Sequence, residues 1–585
     1  MTEIAIPEIA VEPSAQSKRL VRRLVGPALL MLVLTVFALW ARNVVPYWRY
    51  QINPDGVSYI TIAQEYRGGH FYSAINAYWS PLYSWLIIPF LAGGAAPLLA
   101  TKLLAVAIGA AGLIIIWRLL ARVKMSDDLR MWAGLTAVPM LLYFGMQVTT
   151  PDLLVAVACL LYLLQVTEPN YESRPYAPAL TGLLAVLAYF AKAYALAFVL
   201  AHWGMLILLQ LWRVRRDEGE YRRVLVRSAI GLCVFGVLAG SWMGMLRYKY
   251  GYWTIGSTGT FNRIYNGLQY KPPMGGAYGL LPPPSETAIS MWEDVTPVIG
   301  RMPDWSPWNS PAEYKHQLDL IGRNLTASEK IAESFTGFWQ GILLAGIVLA
   351  ASRADPRPRR PALALAAALV LYPTGYYFVH TETRFYFLVA LLLLIIAAYA
   401  VHLIAAALKL GPVRRGIVML IVCASFAHDP AWRVFYPGSP PDYSMLYARG
   451  DRKWPARPVL DKPTQDFADQ LVGIMPPRSR VAANADWTPT LYASFNLDLR
   501  FYGISLDSTA DAEILRQLRE FDIQYWWVWS GRGRRSFPFT KNWPEITAAK
   551  VPNLRIYRVM PQETKAPADL PTTAPASAPT TREAR

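Results

Sequence analysis

Uncharged runs approaching 20 residues recur in this chain from Val25 to Ala427, and no other feature restricts its fold so severely. About 20 apolar residues match the ~30 Å hydrocarbon core of a bilayer. Inside that layer every backbone polar group must be satisfied by the protein, so the spans are helices. The chain therefore reads as a polytopic α-helical membrane protein. In a soluble chain its net charge of +17 would point to nucleic acid. Here most basic residues sit in short loops between the runs, where they set orientation, so membrane lipids are partners and nucleic acid is not. Cys159, Cys233 and Cys423 all lie in apolar segments, which argues against a disulfide framework.

Lys18, Arg19, Arg22 and Arg23 precede the run Val25–Ala41, and no small-x-small cleavage site closes it. This predicts a retained signal anchor behind a cytoplasmic tail, residues 1–24, of which 1–16 are polar and disordered. The uncharged stretch 71–101, broken by Pro81, Pro89 and Pro97, decides the sidedness of everything after it. If 79–95 does not cross, the loops holding Arg118–Arg130, Arg174, Arg213–Arg227, Arg353–Arg360 and Lys409–Arg415 all face the cytoplasm, as the positive-inside rule requires. Residues 79–95 are then a re-entrant or juxtamembrane segment. The run 177–211 is too long for one crossing and holds Lys192 near its middle, so it reads as two spans with Lys192 at their outer turn.

The count is about eleven spans: 25–42, 97–117, 131–148, 152–167, two within 177–211, 228–247, 335–351, 362–379, 385–408 and 413–428. Outer loops are expected at 46–96 and 248–332, the second rich in Gly, Pro and Trp and without clear periodicity. From about 430 the composition becomes that of a soluble segment. Helical spacing at 510–521 and strand-like runs at 523–528 and 554–559 predict an extracytoplasmic α/β domain over 430–562, followed by a disordered Pro-Ala-Thr-rich tail at 563–585.

This topology puts four polar clusters on one membrane face: Asp55, Thr149-Thr150-Pro151-Asp152, Lys192 and His380-Thr381-Glu382-Thr383-Arg384. The spans carry almost no charge at mid-depth, Lys102 lying near a helix end. Charged groups gathered at helix ends on one side describe an interfacial active site. A hydroxyl attacking an anomeric carbon needs a base, which Asp55 offers. A departing phosphate needs fixed positive charge, which Arg384 and Lys192 offer as a planar fork and a compact ammonium.

In this order the acidic first loop, the Thr-Pro-Asp turn, the outer-turn lysine and the Glu-x-Arg loop resemble the GT-C membrane glycosyltransferases. The branch is that of aminoarabinose transferase and the protein O-mannosyltransferases, and the resemblance covers about residues 20–430. It implies a polyprenyl-phosphate sugar donor, an acceptor glycan, lipid or protein outside the cytoplasm, and inversion at the anomeric carbon. By that resemblance Asp55 and Asp152 match the two catalytic acids. Lys192 and Arg384, with Glu382 and His380, match the donor-phosphate site, while Tyr59 and Arg263 are substrate-loop candidates. The first loop lacks the two closely spaced carboxylates that many relatives hold, Asp55 standing without an adjacent acid, and Arg384-Phe385-Tyr386 lacks their common Arg-Tyr adjacency.

Each residue also has a purely structural reading. Asp55 and Asp152 stand where helices begin and carry caps or first-turn acids. Lys192 can snorkel from a helix end, and Glu382 with Arg384 can form a loop ion pair. His70 and His380 are the residues that a divalent ion would recruit beside the acids, although no ligand spacing singles them out. Asn324-Leu325-Thr326 fits the glycosylation triplet, and Tyr525–Trp529 fits a buried aromatic strand. From another class, a lipid or sugar transporter would place broken or polar helices near mid-membrane, a pattern this sequence does not display.

Overall fold

The computed structural model describes residues 15–268, 279–300, 302, 304–351, 356–437, 459–531, 535–547 and 551–560. Residues 1–14 of the expected N-terminal tail (1–24) and the whole tail expected at 563–585 lie outside the described residues. Helix α1 (Ala15–Trp48) is a single rod, so the tail expected to be irregular up to residue 16 is helical from Ala15. The first loop holds three further helices: α2 (Pro54–Arg67), α3 (Phe71–Ala74) and α4 (Pro81–Ala92). Pro54 and Pro81 start their helices, where the missing N–H costs nothing. At 1.5 Å per residue the 12-residue α4 reaches roughly 18 Å, short of a crossing. It packs on α2 instead.

Six long helices follow: α5 (Pro97–Arg122), α6 (Asp127–Met146), α7 (Asp152–Val166), α8 (Ala177–Ala191), α9 (Tyr194–Val214) and α10 (Glu218–Tyr250). Next come α11 (Thr258–Tyr265), α12 (Thr296–Ile299), α13 (Pro311–Phe335), α14 (Trp339–Ala351), α15 (Pro356–Tyr377), α16 (Phe387–Ala407) and α17 (Pro412–Phe435). A described helix covers each of the eleven expected segments, although α7 and α8 have only 15 residues each. Seven described helices are long and apolar enough to cross a membrane, or eight if α13 and α14, bent by 95°, count as one. The protein is thus an integral, multi-pass membrane protein.

The stretch 248–332 departs from expectation, because it contains α11, α12 and the 25-residue α13. The buried positions of α13 are Leu320, Asn324, Ser328, Ala332 and Phe335, a helical repeat whose inner face is partly polar. Asn324, the glycosylation-triplet residue, is buried and donates to the Tyr377 carbonyl at 3.0 Å.

At the centre stands α16, buried from Phe387 to Tyr399 and in contact with α5, α6, α7, α13, α14, α15 and α17. A helix apolar on every side belongs in such a position. Where α8 crosses α10, Gly182 faces the Gly231 carbonyl with no room for a Cβ, the close approach that small residues permit between membrane helices. Described residues of three basic loops form ion pairs with acids on neighbouring elements: Arg122 and Arg174 pair with Glu168, and Arg415 pairs with Asp128 at 2.7 Å.

After α17, which runs on to Phe435 past the expected boundary, the described chain resumes at residue 459 with α18 (Lys462–Gln470). Then come β1 (Arg480–Ala483), α19 (Trp487–Asn496), β2 (Arg500–Ile504), α20 (Asp511–Glu520), β3 (Tyr525–Trp529) and β4 (Leu554–Arg558). The sheet order is β2-β1-β3-β4. β1 runs parallel to β2 and β3, and β4 closes antiparallel on β3 with Trp527 opposite Ile556. Trp526 and Trp527 are fully buried, so the aromatic run packs a core. This small domain sits against the first-loop helices: α19 contacts α2, the Ile52 amide donates to the Asp461 carboxylate at 3.0 Å, and the Leu460 amide donates to the Tyr47 carbonyl at 2.8 Å.

Candidate active site

The site starts from the entry into α2. Asn53, extended because a proline follows it, occupies the cap position, but its side chain does not cap its own helix. Its Oδ1 accepts the Thr149 amide at 2.8 Å instead. A Cβ on Gly56 would fall 2.7 Å from Thr149 Cβ, so the first turn of α2 rests directly on the turn that leads into α7. These contacts bring Asp55 and Asp152 to the same end of the bundle.

Asp152, the first residue of α7, is 3% exposed. It accepts from the Thr150 hydroxyl at 2.7 Å and pairs with Lys192 at 2.5 Å. Lys192 sits where α8 ends in an extended residue, as the length of the 177–211 run requires. Its ammonium lies 3.9 Å from the centre of the Phe385 ring. That ring stacks on Tyr376 at 4.8 Å, and Tyr376 stacks on Tyr194 at 3.7 Å.

Arg384, in the short 3₁₀ turn Thr383–Tyr386, joins the pieces. Its Nη1 donates to Asp55 at 2.7 Å, across 329 residues of sequence, and its Nε donates to Glu382 at 2.7 Å and lies 3.8 Å from Asp152. Among the described residues Nη2 has no acceptor. Glu382 also accepts from His380 at 2.9 Å. Burial pushes the Glu382 carboxyl up, but the His380 hydrogen bond and the adjacent guanidinium outweigh that and bring it down to about 2.

Six of the residues singled out from the sequence, Asp55, Asp152, Lys192, His380, Glu382 and Arg384, therefore form one connected network. Tyr59 lies on α2, within the first outer stretch, and outside this network. It is 4% exposed, with Trp79 and Tyr83 against its ring. Burial first, and the Asp55 and Asp152 charges next, hold its phenol well above the ordinary range and so keep it protonated. Arg263 lies on α11 and pairs with Asp304 at 2.7 Å and with the Trp305 carbonyl, contacts that give it no part in the network.

A divalent ion fits poorly. Among the described residues no three His, Cys, Asp or Glu side chains are arranged to hold one. The Arg384 guanidinium stands among Asp55, Asp152 and Glu382, in the position a metal would need. His70 flanks α3 with its ring beside Gly68.

Sequence reasoning missed Phe385 and Lys102. Phe385 replaces an expected tyrosine and puts an aromatic face under two cations, lying 5.4 Å from the Arg384 guanidinium as well. Lys102 was passed over as a helix-end lysine, yet it is fully buried behind Thr149. Only the tertiary fold carried those signals.

No protein-family model matches the sequence, and no curated protein matches it. Solved structures do. ArnT from Cupriavidus metallidurans in the apo state aligns with a TM-score of 0.53 at 14% identity, over 90% of this chain and 97% of that one. The same protein bound to undecaprenyl phosphate aligns with a TM-score of 0.54 at 14% identity and the same coverage. The mycobacterial arabinofuranosyltransferase AftD aligns with a TM-score of 0.47 at 15% identity, over 91% of this chain and 40% of that one. The likeness to ArnT is one of fold.

Proposed function

We propose that a chain with this fold and this network is a glycosyltransferase that moves a hexosyl or pentosyl group from a polyprenyl phosphate to an acceptor glycan, lipid or protein. The observation that carries the reading is the Arg384 guanidinium held between Asp55 and Asp152 at the ends of apolar helices, with Lys192 on the far side of Asp152. ArnT has been solved bound to undecaprenyl phosphate, which supports a donor of that class here. The excess of basic residues in the loops at the other end supports an active site facing away from the cytoplasm, in a bacterial inner membrane.

In this reading Asp55 takes the proton from the acceptor O–H or N–H as that atom attacks the anomeric carbon. The bond from that carbon to the phosphate oxygen breaks on the opposite face, which inverts the centre, and its electron pair goes to the leaving phosphate. Nη2 of Arg384 and the Lys192 ammonium stabilise the charge that develops there. Asp152, pinned by Lys192 and the Thr150 hydroxyl, holds the lysine in place and lies near the oxocarbenium-like centre. In the resting network Asp55 is itself bound to Arg384, so a phosphate that draws the guanidinium toward itself also frees the base.

The test is transfer of label from radiolabelled polyprenyl-phosphate sugars in membranes carrying the wild type or Asp55→Asn. A new glycosidic bond formed by the wild type and absent in the variant is the expected result. Label that changes sides without a new bond would make the protein a transporter.

A further inference from the structure

Behind the two carboxylates lies a charge that the reaction as written does not use. Lys102, in the second turn of α5, is fully buried. An ammonium has three N–H groups, and here each has an acceptor: Gln51 Oε1, Thr149 Oγ1 at 3.1 Å and the Met146 carbonyl at 3.2 Å. Among the described residues no carboxylate pairs with it. A buried charge with no ion partner in contact is held at high cost, which the three neutral acceptors and, at longer range, the Asp461 carboxylate meet here.

The choice of acceptors is informative. Gln51 lies four residues before Asp55, and Thr149 lies three before Asp152. The Thr149 hydroxyl donates to Gln51 Oε1 at 3.0 Å, and the Thr149 amide donates to Asn53 Oδ1 at 2.8 Å. At Gly56 the two turns are in contact with no space between them. Lys102 is thus the node at which the turn bearing Asp55 and the turn bearing Asp152 are fastened to α5.

We infer that Lys102 is a positioning residue for the proposed transfer. Through Gln51 and Thr149 it keeps the Asp55 and Asp152 turns in register when a donor phosphate draws Arg384 out from between the carboxylates. This rests on the glycosyl-transfer reading. In the resting network Arg384 bridges both acids and offsets their mutual repulsion. A phosphate competes for that guanidinium, and the acids then face each other with one bridge weakened. Lys102 keeps hold of both turns through hydrogen bonds that an entering anion cannot reach, because its ammonium is fully buried.

The experiment uses the full chain in lipid nanodiscs, as wild type, Lys102→Met and Thr149→Val. Hydrogen exchange in peptides spanning 50–58 and 147–153 should quicken by about tenfold in Lys102→Met while α16 and the sheet stay unchanged. Excess undecaprenyl phosphate should widen that difference. Turnover on polyprenyl-phosphate sugars extracted from bacterial membranes should fall by about 100-fold, the scale of a small misplacement of reacting groups. The donor KM should stay within about threefold of wild type, as for an interaction that orients rather than binds. Unchanged exchange at 50–58, wild-type turnover, or faster exchange throughout the bundle would each overturn the inference. If Lys102→Met does not fold, Thr149→Val keeps the lysine and removes one acceptor, and it should show the same local quickening to a lesser degree. If the wild type itself transfers no label, the glycosyl-transfer reading falls, and the exchange measurement still decides whether Lys102 fastens the two turns.

Discussion

The two ends of the helical bundle both carry ion pairs, and they differ in how far those pairs are withdrawn from water. At the end of the basic loops the Arg223 and Glu220 side chains are 51% and 49% exposed. At the other end Lys192 is 18% exposed and its partner Asp152 only 3%. Open pairs contribute about 0–1 kcal/mol each, although the Arg122–Glu168 pair at that end is partly buried, at 25% and 10% exposed. At the second end a desolvation cost has been accepted and only partly recovered. A fold keeps such an arrangement where the charges have work to do, since perturbed, partly buried groups gather at functional sites.

The sharpest contrast comes from neutralising one acid at each end. Asp55→Asn should lower transfer by about 10²–10⁴-fold, the range of a lost general base, whereas Asp128→Asn, at the basic end, should leave turnover as it is. Equal activity in the two variants would break the distinction.

Removing one cation at each end separates them by stability. Arg384→Leu strips the bridge from two acids and should cost a sum near the low end of the ~3–5 kcal/mol seen for broken buried pairs, the guanidinium being 23% exposed. It should also weaken binding of undecaprenyl phosphate. Arg415→Leu, facing the 46% exposed Asp128, should cost about 0–1 kcal/mol. Thermal unfolding in nanodiscs measures both.

Two acids at the site end should differ in the sign of their pH dependence. Glu293 is buried and lies near the charge of Glu65, and both effects raise its carboxyl from 4.5 to about 8. The folded chain therefore holds a proton that the unfolded chain releases. Stability should decline as pH rises from about 4.5 to about 8 and then level off, and Glu293→Gln should remove that decline and be the more stable form at pH 8. Glu382 behaves oppositely: its contribution is complete above 4.5 and is lost as pH falls toward about 2. Glu382→Gln should flatten that acid limb, by a smaller amount because the side chain is 38% exposed.

The sequence was most readable where a membrane makes polarity rare. Asp55, Asp152, Lys192 and Arg384 stand out because an ionisable side chain at the end of an apolar helix has to find a partner, and the loop charges indicated which ends lie together. The α/β domain was readable from alternation and helical spacing near 510–559. The inner face of α13 was not, because Asn324 and Ser328 interrupt its apolar stripe. Tyr59 and Arg263 lie on short helices of the two outer stretches, outside the ion-pair network, and their contacts were not legible in the sequence. Lys102 looked like a helix-end residue, and only the approach of Gln51 and Thr149 in space reveals what it holds. Spacing along a chain says little about contacts made through neutral hydrogen bonds.

The hydrogen bond from the Ile52 amide to the Asp461 carboxylate joins positions 409 residues apart. A ribosome finishes α2 early and reaches Asp461 only after every membrane helix has been made, in keeping with folding that starts at the N-terminus during synthesis. The turn bearing Asp55 is thus among the first parts translated and among the last to be locked. A chain terminated after α17 would carry all six networked side chains and still leave that turn without the contact from Asp461.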